Sequence, residues 1–318
     1  MKTPVLLLMF NRPDTTTKVF DAIRKAKPSK LFIAADGARN DAEWELCNKT
    51  RDVVKNVDWE CEVHTQFRDE NLGCKYGINK SITWFFENVD QGIILEDDCL
   101  PSPSFFEYCD DMLERYKYNE NVGVISGNNF MQSKNSKIVN LPDNVYYFVA
   151  PIYTWGWATW KRAWDKQELE MESWPEQKKK KLLSHIFKNK NVVESYSHTF
   201  DHSFSGRART WDAPWLYTCL LHNMMCIVPP RNLTSNIGVI GTTSRTEGTL
   251  QNISTNYLDI KKLKHPNSVI RNTEIENILL TITDVDKPSS RRHFVELLKK
   301  AKLDTVVRFF YRKLNMRF

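Results

Sequence analysis

Over the first 130 positions, short apolar runs alternate with longer stretches in which apolar residues recur every three or four positions. Runs of four to seven residues at Val5 to Phe10, Leu31 to Ala35, Cys61 to Phe67 and from Gly92 onward read as strands. Between them, Pro13 opens a helix with Val19, Phe20 and Ile23 on one stripe, and further helices are predicted over 41–55 and 76–87. Strand and helix in strict alternation imply a doubly wound, mostly parallel α/β sheet with right-handed crossovers. Such a sheet binds its ligand at the carboxyl ends of its strands, where strand order reverses.

Downstream, Phe105 to Tyr118 has the amphipathic pattern of a helix and Val122 to Ser126 that of a buried strand, followed by Gly127-Asn128-Asn129. The pattern then becomes irregular. Seven of the ten tryptophans lie between Trp155 and Trp215. A helix is predicted near 273–283. The run Lys178 to Lys181 reads as a solvated helix face, and His198-Thr199-Phe200-Asp201-His202 as a polar loop. The expected organisation is a nucleotide-binding half over 1–130, an acceptor-side and catalytic half over 131–250, and a helical C-terminal extension over 251–318.

Charge changes the picture only at the end. The whole chain of 318 residues carries +6, but residues 291–318 hold nine Lys or Arg against two acidic residues. The first 290 residues are therefore close to neutral, which argues against a nucleic-acid-binding core. The segment 293–318 sets Leu297, Leu298, Ala301, Val306, Phe309, Phe310 and Leu314 at helical intervals among basic residues. That is the pattern of a helix lying on an anionic membrane surface, or equally of one docked on its own domain. Seven scattered cysteines without a Cys-X-X-Cys pair fit reduced thiols, and no run approaches the length of a membrane span. The expected location is cytoplasmic, with peripheral attachment to the inner face of the cytoplasmic membrane as the alternative that the basic segment raises.

The candidate chemistry sits at the end of the strand that opens at Gly92, where Glu96, Asp97 and Asp98 follow one another. Three adjacent carboxylates repel unless a cation lies among them, and hard oxygen donors suit Mn²⁺ or Mg²⁺. A plain solvated turn with Ser102 or Ser104 capping the next helix is the simpler reading. The stretch Glu96-Asp97-Asp98 with Leu100-Pro101-Ser102-Pro103-Ser104-Phe105-Phe106 resembles the Asp-X-Asp-type motif of GT-A fold glycosyltransferases. The version it resembles is that of N-acetylglucosaminyltransferase I-type enzymes and related bacterial sugar transferases, over about residues 4–240. The resemblance implies that Asp98 ligates the metal bridging the donor diphosphate, with Glu96 and Asp97 nearer the sugar and ribose.

It implies further donor contacts at Asp36 in the Asp36-Gly37 turn, at Arg12 after the first strand, and at Arg68 and Lys75 around Gly73. Asp36 is equally read as an ordinary turn residue. Trp155-Gly156-Trp157-Ala158-Thr159-Trp160 resembles the family's acceptor-side loop, so Trp155 or Trp157 is expected near the acceptor and Trp160 and Trp164 in the core. Asp212 in Thr210-Trp211-Asp212-Ala213-Pro214-Trp215 occupies the family's general-base position, and its plainer role is to cap a helix with Pro214 near its first turn. Related bacterial sequences tend to carry a His in the loop here spelled Asn236 to Arg245. This chain has none, which leaves Arg245 as a diphosphate contact on what reads as a lid.

The function implied is metal-dependent, inverting transfer of a sugar from a nucleotide-diphosphate sugar, UDP-sugar foremost, to a glycan or lipid-linked acceptor. Two rivals stand beside it. A sugar-nucleotide pyrophosphorylase would want a Gly-rich basic loop after the first strand, and Phe10-Asn11-Arg12-Pro13-Asp14 lacks one. A non-catalytic carbohydrate-binding protein would use the tryptophans alone.

Overall fold

A computed structural model describes residues 1–132, 142–238, 250 and 252–287. The alternation read from the sequence is realised as β1 (Val5–Met9), α1 (Pro13–Ala26), β2 (Lys30–Ala35), α2 (Asp41–Val53), β3 (Glu62–Phe67), α3 (Gly73–Asn88) and β4 (Gln91–Glu96). A short strand β5 (Cys99–Pro101) follows the acidic residues, then α4 (Pro103–Arg115) and β6 (Val122–Ser126). Ser102 precedes α4, but its side chain caps nothing in the helix and lies 3.3 Å from the Ser104 hydroxyl. Pro103 at the first helical position starts α4 instead, since its missing N–H would have had no helical partner.

The remaining strands are β7 (Tyr147–Val149), β8 (Trp157–Trp160), β9 (Met225–Val228) and β10 (Thr234–Asn236). Three short helices, α5 (Lys161–Trp164), α6 (Trp174–Lys179) and α7 (Leu182–Ile186), lead to α8 (Lys190–Phe204) and α9 (Asp212–Leu221). Residues 198–202 thus lie in a helix where a polar loop was expected. Buried Val192, Tyr196 and Phe200 recur every four residues on one face, and those apolar contacts outweigh the polar residues between them. The helix expected near 273–283 is α10 (Thr273–Ile282), capped by Asn272 accepting from the Ile275 N–H at 3.0 Å.

Eight strands form one sheet in the order β3-β2-β1-β4-β8-β6-β9-β7. Parallel pairs join β1 to β2 and β4, β2 to β3, and β6 to β9, whereas β8 runs antiparallel between β4 and β6. The strands of residues 1–130 and 131–250 therefore belong to one sheet. Beyond them, Leu258, Leu263, Ile275 and Leu279 are buried in the same cores, so residues 252–287 are integral to the fold.

The strands bury alternate residues on opposite faces. Val5, Leu7 and Met9 join a core with α1 and α4, while Leu6 and Leu8 join one with Ile82, Phe85 and Phe86 of α3 and Trp215 and Cys219 of α9. A smaller cluster gathers Trp174, Phe200 and Tyr217 beneath α6 to α9. Because β2 and β3 lie on one side of β1 and β4 lies on the other, strand order reverses between β1 and β4. That reversal fixes where a ligand site can form.

Candidate active site at the switch point

The loop leaving β1 and the turn leaving β4 are stitched together by two polar contacts. The Phe10 N–H donates to Asp97 Oδ2 at 2.9 Å, and Arg12 Nη1 donates to Asp98 Oδ2 at 2.5 Å. Arg12 also stands 4.0 Å from Asp97 Oδ1. Arg12 is placed there because Pro13 begins α1 immediately after it.

Asp98 is gripped from the other side by β10, which pairs antiparallel with β5. The Ile237 N–H donates to the Asp98 carbonyl at 2.8 Å. A Cβ on Gly238 would fall 2.5 Å from Asp98 Oδ2, so any larger residue here would push the Asp98 carboxylate aside. The start of the expected lid is therefore a strand tied to the acidic turn. Arg245 and the rest of that loop, like the 293–318 tail, lie outside the described residues.

Asp212 opens α9 on the sheet's other half, exposed to solvent. Its charge adds to the upward push on Glu96 and on the Cys74 thiol, behind burial in both cases. Burial, then Asp98, Asp97 and Asp212, push Glu96 well above the usual carboxylate range. Burial and Asp98 raise Asp97 to about 7, against the opposing pull of Arg12 and the Phe10 N–H. Raised values of this kind mark acidic groups short of countercharge. Hard oxygens in that condition fit Mn²⁺ or Mg²⁺. Among the described residues, no three His, Cys, Asp or Glu side chains surround a common point.

The other expected donor contacts already have partners. Asp36 accepts from the Leu72 N–H at 3.1 Å and the Gly73 N–H at 2.9 Å, so its carboxylate caps the start of α3. Asp36→Ala is expected to cost about 1 kcal/mol of stability through the lost cap, read as a lowered urea midpoint. A midpoint equal to wild type would show that the two N–H groups find water as readily. Arg68 donates to Ser81 Oγ at 3.0 Å and to Gln66 Oε1 at 2.5 Å. Lys75 is buried and bonded to Glu170 Oε2 at 2.8 Å. These contacts place Arg68 and Lys75 along α3.

The two candidate acceptor tryptophans part company. Trp155 is half-buried, edge-on to Phe130 at 5.3 Å. Trp157 is fully buried, packed on Trp164, Trp211 and Trp215 at 5.6 to 6.3 Å, and offers no face to a sugar. β8 is an interior strand, so its side chains fill the core, and only Trp155 can serve as a platform. Trp160 and Trp164 are buried as expected.

Two residues that the sequence reading passed over hold Trp155 in place. Its N–H donates to Asn128 Oδ1 at 3.1 Å, and its carbonyl accepts from Thr234 Oγ1 at 2.5 Å. The Asn128 amide also donates to Thr234 Oγ1 at 3.1 Å. Gly156, at φ +71°, lets the chain turn tightly against the Thr234 methyl. Gly127-Asn128-Asn129 at the end of a buried strand was the available signal.

No family model matches the chain, and none of the curated proteins does. Among solved structures it is similar to HddC from Yersinia pseudotuberculosis, at 8% identity and a TM-score of 0.30, over 50% of this chain and 77% of that one. It is also similar to 4-diphosphocytidyl-2C-methyl-D-erythritol synthase from Anaerococcus prevotii, at 10% identity and a TM-score of 0.33, over 50% of this chain and 72% of that one. The sheet itself gives the chain a Rossmann-like α/β architecture, with its acidic cluster at the switch point.

Proposed function

We propose that this chain is a metal-dependent, inverting glycosyltransferase that takes its sugar from a nucleotide-diphosphate donor, UDP-sugar foremost, and passes it to a glycan or lipid-linked acceptor. What supports the reading is one convergence. Asp97 and Asp98, next to Glu96, meet Arg12 at the reversal between β1 and β4, and the charge of Asp212 from α9 adds to the push on Glu96.

In this reading Asp98 holds Mn²⁺ or Mg²⁺, and Arg12 meets the diphosphate. The ion, when bound, supplies charge stabilisation for the departing nucleoside diphosphate. Glu96 and Asp97 accept hydrogen bonds from sugar and ribose hydroxyls. Asp212 takes the proton from the acceptor hydroxyl as its oxygen attacks the anomeric carbon, and the bond to the diphosphate breaks on the opposite side. Trp155 offers its ring to the apolar face of the acceptor sugar.

Wild-type protein is expected to gain thermal stability with UDP-sugar and Mn²⁺ together, and Asp98→Ala to lose the Mn²⁺-dependent part of that gain. An unchanged Mn²⁺-dependent shift in Asp98→Ala removes Asp98 as the ligand. Products separate the rivals: sugar transfer releases UDP, nucleotidyl transfer consumes or releases pyrophosphate, and a binding protein releases neither.

A further inference from the structure

We infer that Arg12 is an internal cation occupying the metal's place on Asp98, so that the metal binds well only after a nucleotide diphosphate has drawn the guanidinium away. The inference rests on the functional reading above. Asp98 Oδ2, the oxygen Arg12 takes, also lies close to the backbone of Gly238, where an added Cβ would stand 2.5 Å away. Asp98 Oδ1 faces the Cys99 thiol at 3.6 Å. A divalent cation sits about 2.0 to 2.6 Å from a ligating carboxylate oxygen. With Arg12 Nη1 already on Oδ2, a metal ion on that carboxylate would stand beside a like charge, so cation and guanidinium compete for Asp98.

The geometry also gives Arg12 somewhere to go. Its side chain keeps 30% of its surface open, whereas Asp98 keeps 16%, and among the described residues Arg12 has no other carboxylate contact closer than 4.0 Å. Its backbone precedes α1, but its side chain caps nothing in that helix. A guanidinium pairs bidentately with phosphate oxygens as readily as with a carboxylate. A diphosphate entering the switch point therefore offers Arg12 a second anionic partner and frees Asp98 for the metal. Metal and nucleotide are then coupled through Arg12, beyond the direct bridge between ion and phosphates. Until the nucleotide arrives, Arg12 also keeps the acidic turn ordered.

The test titrates Mn²⁺ into the full chain, following the free-ion electron paramagnetic resonance signal, with and without UDP. Arg12→Gln is expected to bind Mn²⁺ alone roughly tenfold more tightly than wild type, the scale of one charge-assisted contact, and to bind UDP alone more weakly. Arg12→Lys keeps the charge but not the fork, and should lie between the two; equality with wild type would indicate a field effect without contact and overturn the inference. Mn²⁺ binding alone that is unchanged or weaker in Arg12→Gln overturns it as well, while Mn²⁺ binding with UDP in wild type would leave the functional reading standing. If neither wild type nor variants bind Mn²⁺ with or without UDP, the metal reading falls and this inference with it. Melting temperatures of both variants identify any loss of fold, and Arg12→Lys carries the test should Arg12→Gln unfold.

Discussion

Asp212→Asn is expected to lower kcat for sugar transfer roughly 10²- to 10⁴-fold, the usual contribution of a positioned base, while the Kd for UDP with Mn²⁺ changes little. The two readouts separate because Asp212 begins α9, whereas Asp98 and Arg12 belong to the ends of β4 and β1. Asparagine preserves the side chain's shape but cannot accept the acceptor's proton. It also removes a negative charge from the first turn of α9, where the helix dipole favours one, at a cost of about 0.3 to 1 kcal/mol. That loss is too small to mimic a catalytic defect, and thermal melting measures it separately. Normal turnover in Asp212→Asn would leave Asp212 as a helix-start residue and move the base elsewhere. A kcat loss shared equally with Asp212→Glu would mean that position, as well as charge, is required.

Trp157→Ala is expected to destabilise the protein by about 3 to 5 kcal/mol, the range for deleting a large buried aromatic. Trp157 lies on the central antiparallel strand with no exposed surface, among Trp164, Trp211 and Trp215. The side chains around it belong to α5, α9 and the turn before α9, so no one element can move to close the cavity. Its indole N–H has no hydrogen-bond partner among the described residues, so Trp157→Phe should recover most of the loss by restoring apolar volume alone. The urea midpoint at constant slope measures both. A cost below about 1 kcal/mol, accompanied by loss of acceptor binding, would instead make Trp157 a ligand contact and contradict its burial.

The β–α alternation of residues 1–130 was legible because each element there carries its own period. The stripe of Val19, Phe20 and Ile23 and the unbroken apolar run of β4 bury as their patterns require. The helix carrying His198 and His202 was missed because its apolar positions are sparse, and neighbours from α6, α7 and α9 make it a buried face. The short strands β5, β7, β8 and β10 were missed because three or four residues hold too little pattern to stand against irregular chain. Pairing with distant strands creates them. The partners already bound to Asp36 and Lys75 were equally invisible, since Leu72, Gly73 and Glu170 reach them only through the fold.

From the residues alone come the alternation of strands and helices over 1–130, the nearly neutral first 290 residues, and an acidic trio at a strand end. Local periodicity and like-charge repulsion act between neighbours in the chain, so these features need no fold to be read. Tertiary structure decided the rest. It placed the strand reversal so that Arg12 meets Asp98 across 86 positions, set Asp212 at the start of α9, and buried Trp157 fully while leaving Trp155 half-buried against Phe130. Each is a contact or an orientation set by long-range packing, and no short window of sequence contains it.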